Sequence, residues 1–556
     1  MENDHEGTTT GSPLPDPERQ TVGSGDSSSV ASKTKSVSTQ ELIHDTITKY
    51  AAENLGFRLS SLGYDDSLFD LGIDSMGVAE ISAAIEEQTG KRLVAEAVFE
   101  LETINELSEY VESLHPLNRD GVASEASNFA NTHSDPIDRR PVGDDPGRLD
   151  PDSVAAMVHG SEVDPIDHYR RLNRRVNQLK EADMYFFESV ISEHKDAWVV
   201  ADGRRMLMMA SYEYLGLLGH ERLKQASREA LETFGTGHHG ARLLAGTTAK
   251  HRELEDRLAR FMQSEDAIVF SSGYVTNLAT ISTLVGPGDC VIGDQWNHAS
   301  IIDGCRMSGA EFYEFKHNDI DSLAEQLQAS GSRRTLVVVD AVFSMDGDVI
   351  DLPGVIDLCG KHNALLMVDE AHSLGMLGKT GRGVQEHFGL DADAIDIKMG
   401  TLSKTLAGSG GFVAAREEIV TYLRHHARGY IFSGALPAGQ ASVAVAALDV
   451  LEQEPELVTQ LHRNQLQYLE GLKAVGFDTA RSTTPIVPLM TGSTEQALEM
   501  TRICREDGLF VIPVCYPAVP MDAPRLRTCI SAIHTPQEID FAVDVLTRAG
   551  RATGVI

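Results

Sequence analysis

The stretch Gly400–Phe412, Gly-Thr-Leu-Ser-Lys-Thr-Leu-Ala-Gly-Ser-Gly-Gly-Phe, sets one lysine among small and hydroxylated residues just after the strand-like Ala394–Met399. This arrangement predicts that Lys404 lies in a turn on the rim of a sheet. Glycines let backbone approach a ligand closely, and Thr401 and Ser403 offer hydroxyls to an anion. A lysine becomes a nucleophile when desolvation or cationic neighbours lower its pKa, and its usual partner is a carbonyl carbon. Taken alone, the stretch is explained equally well by a solvated lysine in a glycine-rich loop.

An upstream motif changes that balance. Leu365–Val368 is a short apolar run that ends in Asp369-Glu370-Ala371-His372-Ser373-Leu374-Gly375. A carboxylate at the C-terminal end of a buried strand stands where α/β proteins bind their ligands. Pyridoxal phosphate (PLP) requires a lysine for its aldehyde and an acid for its pyridine nitrogen. Lys404 and Asp369 supply that pair, although Asp369 as a simple helix cap is the competing reading.

With these motifs in order, residues of roughly 165–548 resemble the α-oxoamine synthases. This PLP-dependent family condenses an amino acid with an acyl thioester, and it includes 8-amino-7-oxononanoate synthase and serine palmitoyltransferase. The resemblance implies that Ser272, Gly273 and Tyr274, at the start of a helix after Ala267–Phe270, contact the cofactor phosphate. It implies that His298 of Asn297-His298-Ala299-Ser300 lies flat against the pyridine ring, and that Ser344 touches the cofactor. It further implies that His372 donates to the phenolic oxygen and that Thr401 gives a phosphate hydroxyl. Lys404, His298 and Asp369 are then the catalytic set.

Tyr430–Pro437 resembles a segment that reaches the partner subunit's phosphate in family dimers. Gly434 stands where relatives often have threonine, so Ser433 is the candidate hydroxyl there. Arg527, in Arg525-Leu526-Arg527, matches the arginine that grips the substrate carboxylate, a task suited to a planar guanidinium. Relatives often have Asn or Asp where this chain has Glu213, close to the bound amino acid.

The 556 residues suffice for more than one domain. A net charge of −35 argues against nucleic-acid binding and against adhesion to anionic membranes. No apolar run approaches the length of a membrane span, and the acidic N-terminus is unlike a signal peptide. The six cysteines lack Cys-x-x-Cys spacing, which suits reduced thiols in a cytoplasmic enzyme and offers no zinc site. Adjacent His238-His239 and the Asp346-Gly347-Asp348 run lack the further ligands that a metal needs, so no metal is expected.

Residues 1–35 are polar and apolar-poor, as in a disordered tail. Residues 36–115 carry apolar residues at helical spacing, with sixteen Asp and Glu against four Lys and Arg between 36 and 113. With Leu71-Gly72-Ile73-Asp74-Ser75-Met76, this predicts an all-α four-helix bundle that resembles an acyl carrier protein. The resemblance makes Ser75 the attachment point of 4′-phosphopantetheine; Asp74-Ser75 as a mere helix cap is the alternative. Residues 116–160, rich in Asp-Pro and Gly, read as a flexible linker.

Residues 161–556 are expected to form a fold-type I PLP enzyme, an α/β domain whose mostly parallel sheet has helices on both faces. Its strands should lie near 267, 290, 312, 335, 365, 395 and 411, with a smaller C-terminal α+β subdomain from about 445. The expected chemistry is a decarboxylative condensation of an α-amino acid with a carrier-borne acyl thioester, yielding an α-amino ketone. Its expected partners are a phosphopantetheinyl transferase, an acyl-loading enzyme and a second copy in a homodimer. An aminotransferase or a non-catalytic acyl-binding scaffold is the rival reading.

Overall fold

Seven strands form one sheet, and helices cover both faces of its interior strands. The computed structural model describes residues 39–54, 81, 84–85, 88–89, 91, 104–114 and 166–556, apart from 332, 517 and 521. Ser75, the tail 1–35 and the linker 116–160 lie outside the described residues. The chain divides into two compact units, Met1–Gly147 and Arg148–Ile556.

In the first unit, helices Thr39–Asn54 and Ile104–Ser113 pack together. Ile43, Ile47, Ile81, Ile85, Ile104, Leu107 and Val111 are buried. The i, i+4 spacing of Ile43–Ile47 and Ile81–Ile85 sets each pair on one helical face.

The second unit opens with the helix Asp167–Glu181, followed by an antiparallel meander of β1 (Ile191–Lys195), β2 (Trp198–Ala201) and β3 (Arg204–Met208). The seven central strands are β4 (Asp266–Phe270), β5 (Cys290–Asp294), β6 (Glu311–Phe315), β7 (Thr335–Asp340), β8 (Leu365–Asp369), β9 (Ile397–Thr401) and β10 (Gly411–Ala415). Their order in the sheet is β4-β10-β9-β8-β7-β5-β6, and only β10 runs antiparallel to its neighbours. All seven fall at the positions expected from the sequence, near 267, 290, 312, 335, 365, 395 and 411.

Side chains alternate between two cores, as the two-residue period of a strand requires. Val337, Val339, Leu366 and Val368 enter one core, while Leu336, Val338 and Met367 enter the other. Burial on both faces explains the uninterrupted apolar composition of these strands.

The C-terminal part builds a second sheet from β11 (Ile486–Met490), β13 (Ile512–Val514) and β14 (Arg525–Cys529), in the order β11-β14-β13. Helices Thr494–Glu506 and Pro536–Thr553 accompany it. The short β12 (Leu509–Phe510) pairs in parallel with β3, Leu509 against Leu207 and Phe510 against Met208. The Cys529 amide also donates to the Met209 carbonyl at 2.7 Å. No described helix is long and apolar enough to cross a membrane.

Candidate active site

The C-terminal ends of β7, β8 and β9 gather the chemistry. Asp340 pairs in register with Asp369, and Asp369 with Met399, so two carboxyl groups end adjacent strands. Asp369 Oδ2 accepts from Asn277 Nδ2 at 2.7 Å, and its Oδ1 accepts from the Ala371 amide at 2.9 Å. Both carboxylate oxygens are therefore held from the protein side.

The lysine loop is the hairpin between β9 and β10. Leu402 N donates to Gly410 O at 2.9 Å, and Gly408 N to Leu402 O at 2.8 Å. Thr405 Oγ1 anchors the loop to Leu374 O at 2.7 Å. Burial lowers the Lys404 ammonium to about 8, against the opposing pull of Asp369 and Asp340. The amine is thereby made available as a nucleophile near neutral pH.

Beyond β4, helix Gly273–Leu284 starts with Ser272 as its cap, the side chain accepting from Val275 N at 3.2 Å. The first amides of a helix have no partner within it, which makes this end an anion site. A Cβ on Gly273 would stand 3.0 Å from Thr401 Oγ1, and one on Gly411 only 2.8 Å from the Gly273 Cα. Glycine at both positions brings the helix end down onto the sheet. Thr401 Oγ1 is 2.7 Å from Ser403 Oγ, next to that helix end.

Two histidines complete the walls. His298 caps helix Ala299–Ser308; its Nδ1 lies 2.7 Å from Ser300 Oγ, and its amide donates to Asp340 Oδ2 at 2.7 Å. His372 is buried, with Nδ1 2.7 Å from the Tyr214 hydroxyl. Burial lowers both imidazoles, His372 strongly, with the Lys404 charge acting the same way. Burial also raises the Asp340 carboxyl well above its usual range, with Asp369 adding to the effect.

Ser272, Gly273, Tyr274, His298, Ser344, Asp369, His372, Thr401 and Lys404 line one cavity of about 230 Å³. Arg527 is held just behind that wall, its Nε donating to Ser344 O at 2.6 Å. Ser433 is not among the lining residues; its Oγ lies 3.5 Å from Ser271 Oγ. A Cβ on Gly434 would meet the His238 ring at 2.6 Å.

Glu213 lines a separate cavity of about 180 Å³ with His194 and Ile533, where burial raises its carboxyl to about 7. A larger, open cleft of about 490 Å³, beside Trp296, Lys316 and Arg481, contains none of the lysine-centred group. No group of His, Cys, Asp and Glu suited to a metal occurs among the described residues.

Residues 204–546 match the family described as aminotransferase class I and II, and residues 45–111 match the phosphopantetheine attachment site. The 8-amino-7-oxononanoate synthase of Geobacter sulfurreducens is 42% identical over 391 residues, 70% of this chain and 100% of that protein. The serine palmitoyltransferase of Bacteriovorax stolpii is 39% identical over 381 residues, 68% of this chain and 90% of its own. A solved serine palmitoyltransferase from S. paucimobilis with bound PLP–myriocin superposes with a TM-score of 0.69 at 36% identity, covering 71% of this chain and all of that one.

The chain belongs to the α-oxoamine synthases. As such, it is a PLP-dependent acyltransferase that condenses an amino acid with an acyl thioester, and its N-terminal region is a phosphopantetheine-bearing domain.

The cavity of this synthase suits PLP. It offers a lysine amine near 8, a carboxylate held from behind, and a helix end with hydroxyls for a phosphate. Asn277, on its wall, has a buried Oδ1 without a hydrogen-bond partner among the described residues. Sequence reasoning passed over Asn277 and Asp340. Asp340 repeats the signal that identifies Asp369, a carboxylate closing a buried strand, whereas Asn277 is one polar residue within a helix and carries no such mark.

Proposed function

We propose that this α-oxoamine synthase takes its acyl group from its own carrier region, as a thioester on phosphopantetheine at Ser75, and returns an α-amino ketone and CO2. The supporting observation is the joining, in one chain, of a phosphopantetheine attachment match and a lysine–carboxylate cavity. The product class fits secondary-metabolite or lipid-like biosynthesis, with a phosphopantetheinyl transferase and an acyl-loading enzyme upstream.

PLP, when bound, draws electrons from the α-carbon of an attached amino acid. In this reading Lys404, on the cavity wall, would hold the cofactor through its amine. Asp369, steadied by Asn277 and the Ala371 amide, keeps the proton on the pyridine nitrogen. His298 would lie against one face of the cofactor ring. His372, with Nδ1 engaged by Tyr214, would offer its other nitrogen to the phenolic oxygen. Ser272, Gly273, Tyr274 and Thr401 would receive the phosphate, and Ser344, just beyond β7, would contact the cofactor.

The α-carbon gives up its proton and forms the new carbon–carbon bond to the thioester carbonyl. The carbon–sulfur bond breaks with the thiol leaving on the carrier; the substrate carboxylate then departs as CO2, and a proton takes its place on the α-carbon. Mass spectrometry with each small amino acid and an acyl-loaded carrier tests the proposal. Amino ketone with CO2 supports it; keto acid without CO2 identifies an aminotransferase instead.

Arg527 is the candidate clamp for the substrate carboxylate. Arg527→Ala is expected to weaken amino-acid binding by roughly 1.5–3 kcal/mol, the cost of a charge-assisted contact, while PLP stays bound. An unchanged amino-acid dissociation constant, read from the cofactor spectrum, removes Arg527 from the site.

A homodimer is the expected assembly, with Ser433 offered to the neighbouring site. Leu244, 84% exposed in a π-helical turn (Arg242–Gly246), and Phe432, 73% exposed, lie on segments joined by the Ala241–Gly434 bridge. Covering such side chains gains about 1.5–3 kcal/mol each, and twofold closure is the commonest arrangement of soluble oligomers. Leu244→Glu with Phe432→Glu is expected to shift sedimentation to the monomer and to remove activity. A fully active monomer refutes the assembly.

A further inference from the structure

We propose that Asp340 is the positioning residue for His298, fixing the imidazole at the cavity by clamping its backbone. The inference rests on the role given to His298 above and concerns how that role is maintained.

The clamp is reciprocal and spans two consecutive residues. The His298 amide donates to Asp340 Oδ2 at 2.7 Å. The Asp340 amide in turn donates to Asn297 Oδ1 at 3.0 Å, and Asn297 Nδ2 donates to Val338 O at 2.8 Å. Asn297 and His298 are thus sewn to the last turnless residues of β7, a strand buried along its whole length.

The other side of the loop is fixed as well. Trp296 N donates to Asp294 Oδ1 at 2.8 Å, and Asn297 N to Asp294 O at 3.0 Å. Gly293 makes room for the clamp, since a Cβ there would lie 3.0 Å from Asn297 Nδ2. His298 enters its helix with an extended ψ of 141°, and its ring accepts from Ser300 N at 3.2 Å. The backbone at His298 therefore sets where the ring stands. A rigid loop of this kind keeps a functional group within the narrow tolerance that catalysis demands.

Accepting one amide requires an oxygen but no negative charge. Asp340 is buried beside the second carboxyl of Asp369, which disfavours its ionised form. An asparagine presents the same oxygen at the same reach. The clamp assignment therefore separates the alanine and asparagine variants of Asp340, which a general structural role would not.

The test uses the full chain. In the apoprotein, hydrogen exchange over residues 294–301 reads the clamp without cofactor or turnover. Asp340→Ala is expected to speed exchange of the His298 amide by at least about 10-fold, as a lost local restraint does, while Asp340→Asn restores slow exchange. In the PLP-loaded enzyme, Asp340→Ala is expected to lower kcat by about 10–100-fold with KM little changed, the pattern of a displaced group. Asp340→Asn should rescue to within about 3-fold.

Combining Asp340→Ala with His298→Ala should cost no more than His298→Ala alone, because the two act as one unit. Unchanged exchange in Asp340→Ala overturns the clamp. So does an asparagine variant as impaired as the alanine one, which would make the charge the working element, and so do additive losses in the double variant. Full turnover in His298→Ala would remove the role of His298 itself, an outcome distinct from the exchange result that decides the clamp.

Discussion

Lys404→Ala is expected to reduce turnover by at least about three orders of magnitude, the scale set by loss of a covalent or acid–base group. Among the described residues no other lysine lines the cavity, and Lys398, the nearest in sequence, is occupied by the Met262 and Ala392 carbonyls at 2.7 and 2.8 Å. The variant should fold normally, because the hairpin is held by Leu402, Gly408 and Thr405 rather than by the lysine side chain. Borohydride should fix PLP to Lys404 in the wild type and to nothing in the variant. Cofactor fixed at another lysine refutes the assignment.

A pH dependence accompanies this expectation. Burial brings the Lys404 ammonium from 10.5 to about 8. The free amine therefore becomes abundant as pH rises through 8, well below the range of a solvated lysine. Capture of added PLP by the apoprotein should accelerate between pH 7 and 9 and then level off. An acceleration that continues toward 10.5 indicates an exposed amine in place of this one.

Ser75→Ala is expected to eliminate product from a carrier-loaded acyl group while leaving PLP binding intact. The serine hydroxyl is the covalent handle in this reading, so the loss should be complete. Tethering supplies an effective concentration of roughly millimolar, and free acyl-coenzyme A at comparable concentration should restore part of the rate. Intact mass after treatment with a phosphopantetheinyl transferase gives the decisive comparison. A wild type that gains no pantetheine, or a variant that still does, ends the carrier proposal.

The fold could be read from the sequence because six of the seven strands of the central sheet are buried on both faces. The edge strand β6 is largely exposed, and a helix follows most of the strands. The strand order β4-β10-β9-β8-β7-β5-β6 could not be read in this way, since it depends on pairings between distant segments. Nor was β1 apparent: all five of its residues are exposed, so it has no apolar period to detect.

Lys404, Asp369 and the two histidines stood out because each sits within a motif. Asn277 and Asp340 act through partners remote in the chain, Asp369 and His298, and only folding brings these together. Arg525 shows the same limitation. Its pairing with Asp346 at 2.6 Å braces the turn that carries Ser344, across 179 residues of sequence.

The parallel pairing of β12 with β3 has an evolutionary consequence. Residues 207–208 are zipped to residues 509–510, so the catalytic unit closes on strands that it supplies itself. A recombination breakpoint upstream of Ile166 leaves unbroken every strand pairing of that unit and the Arg505 contacts to Phe186 and Ser189. Gene fusion at this side is therefore structurally permissive: a foreign module can be spliced on, exchanged or lost while the enzyme keeps its architecture.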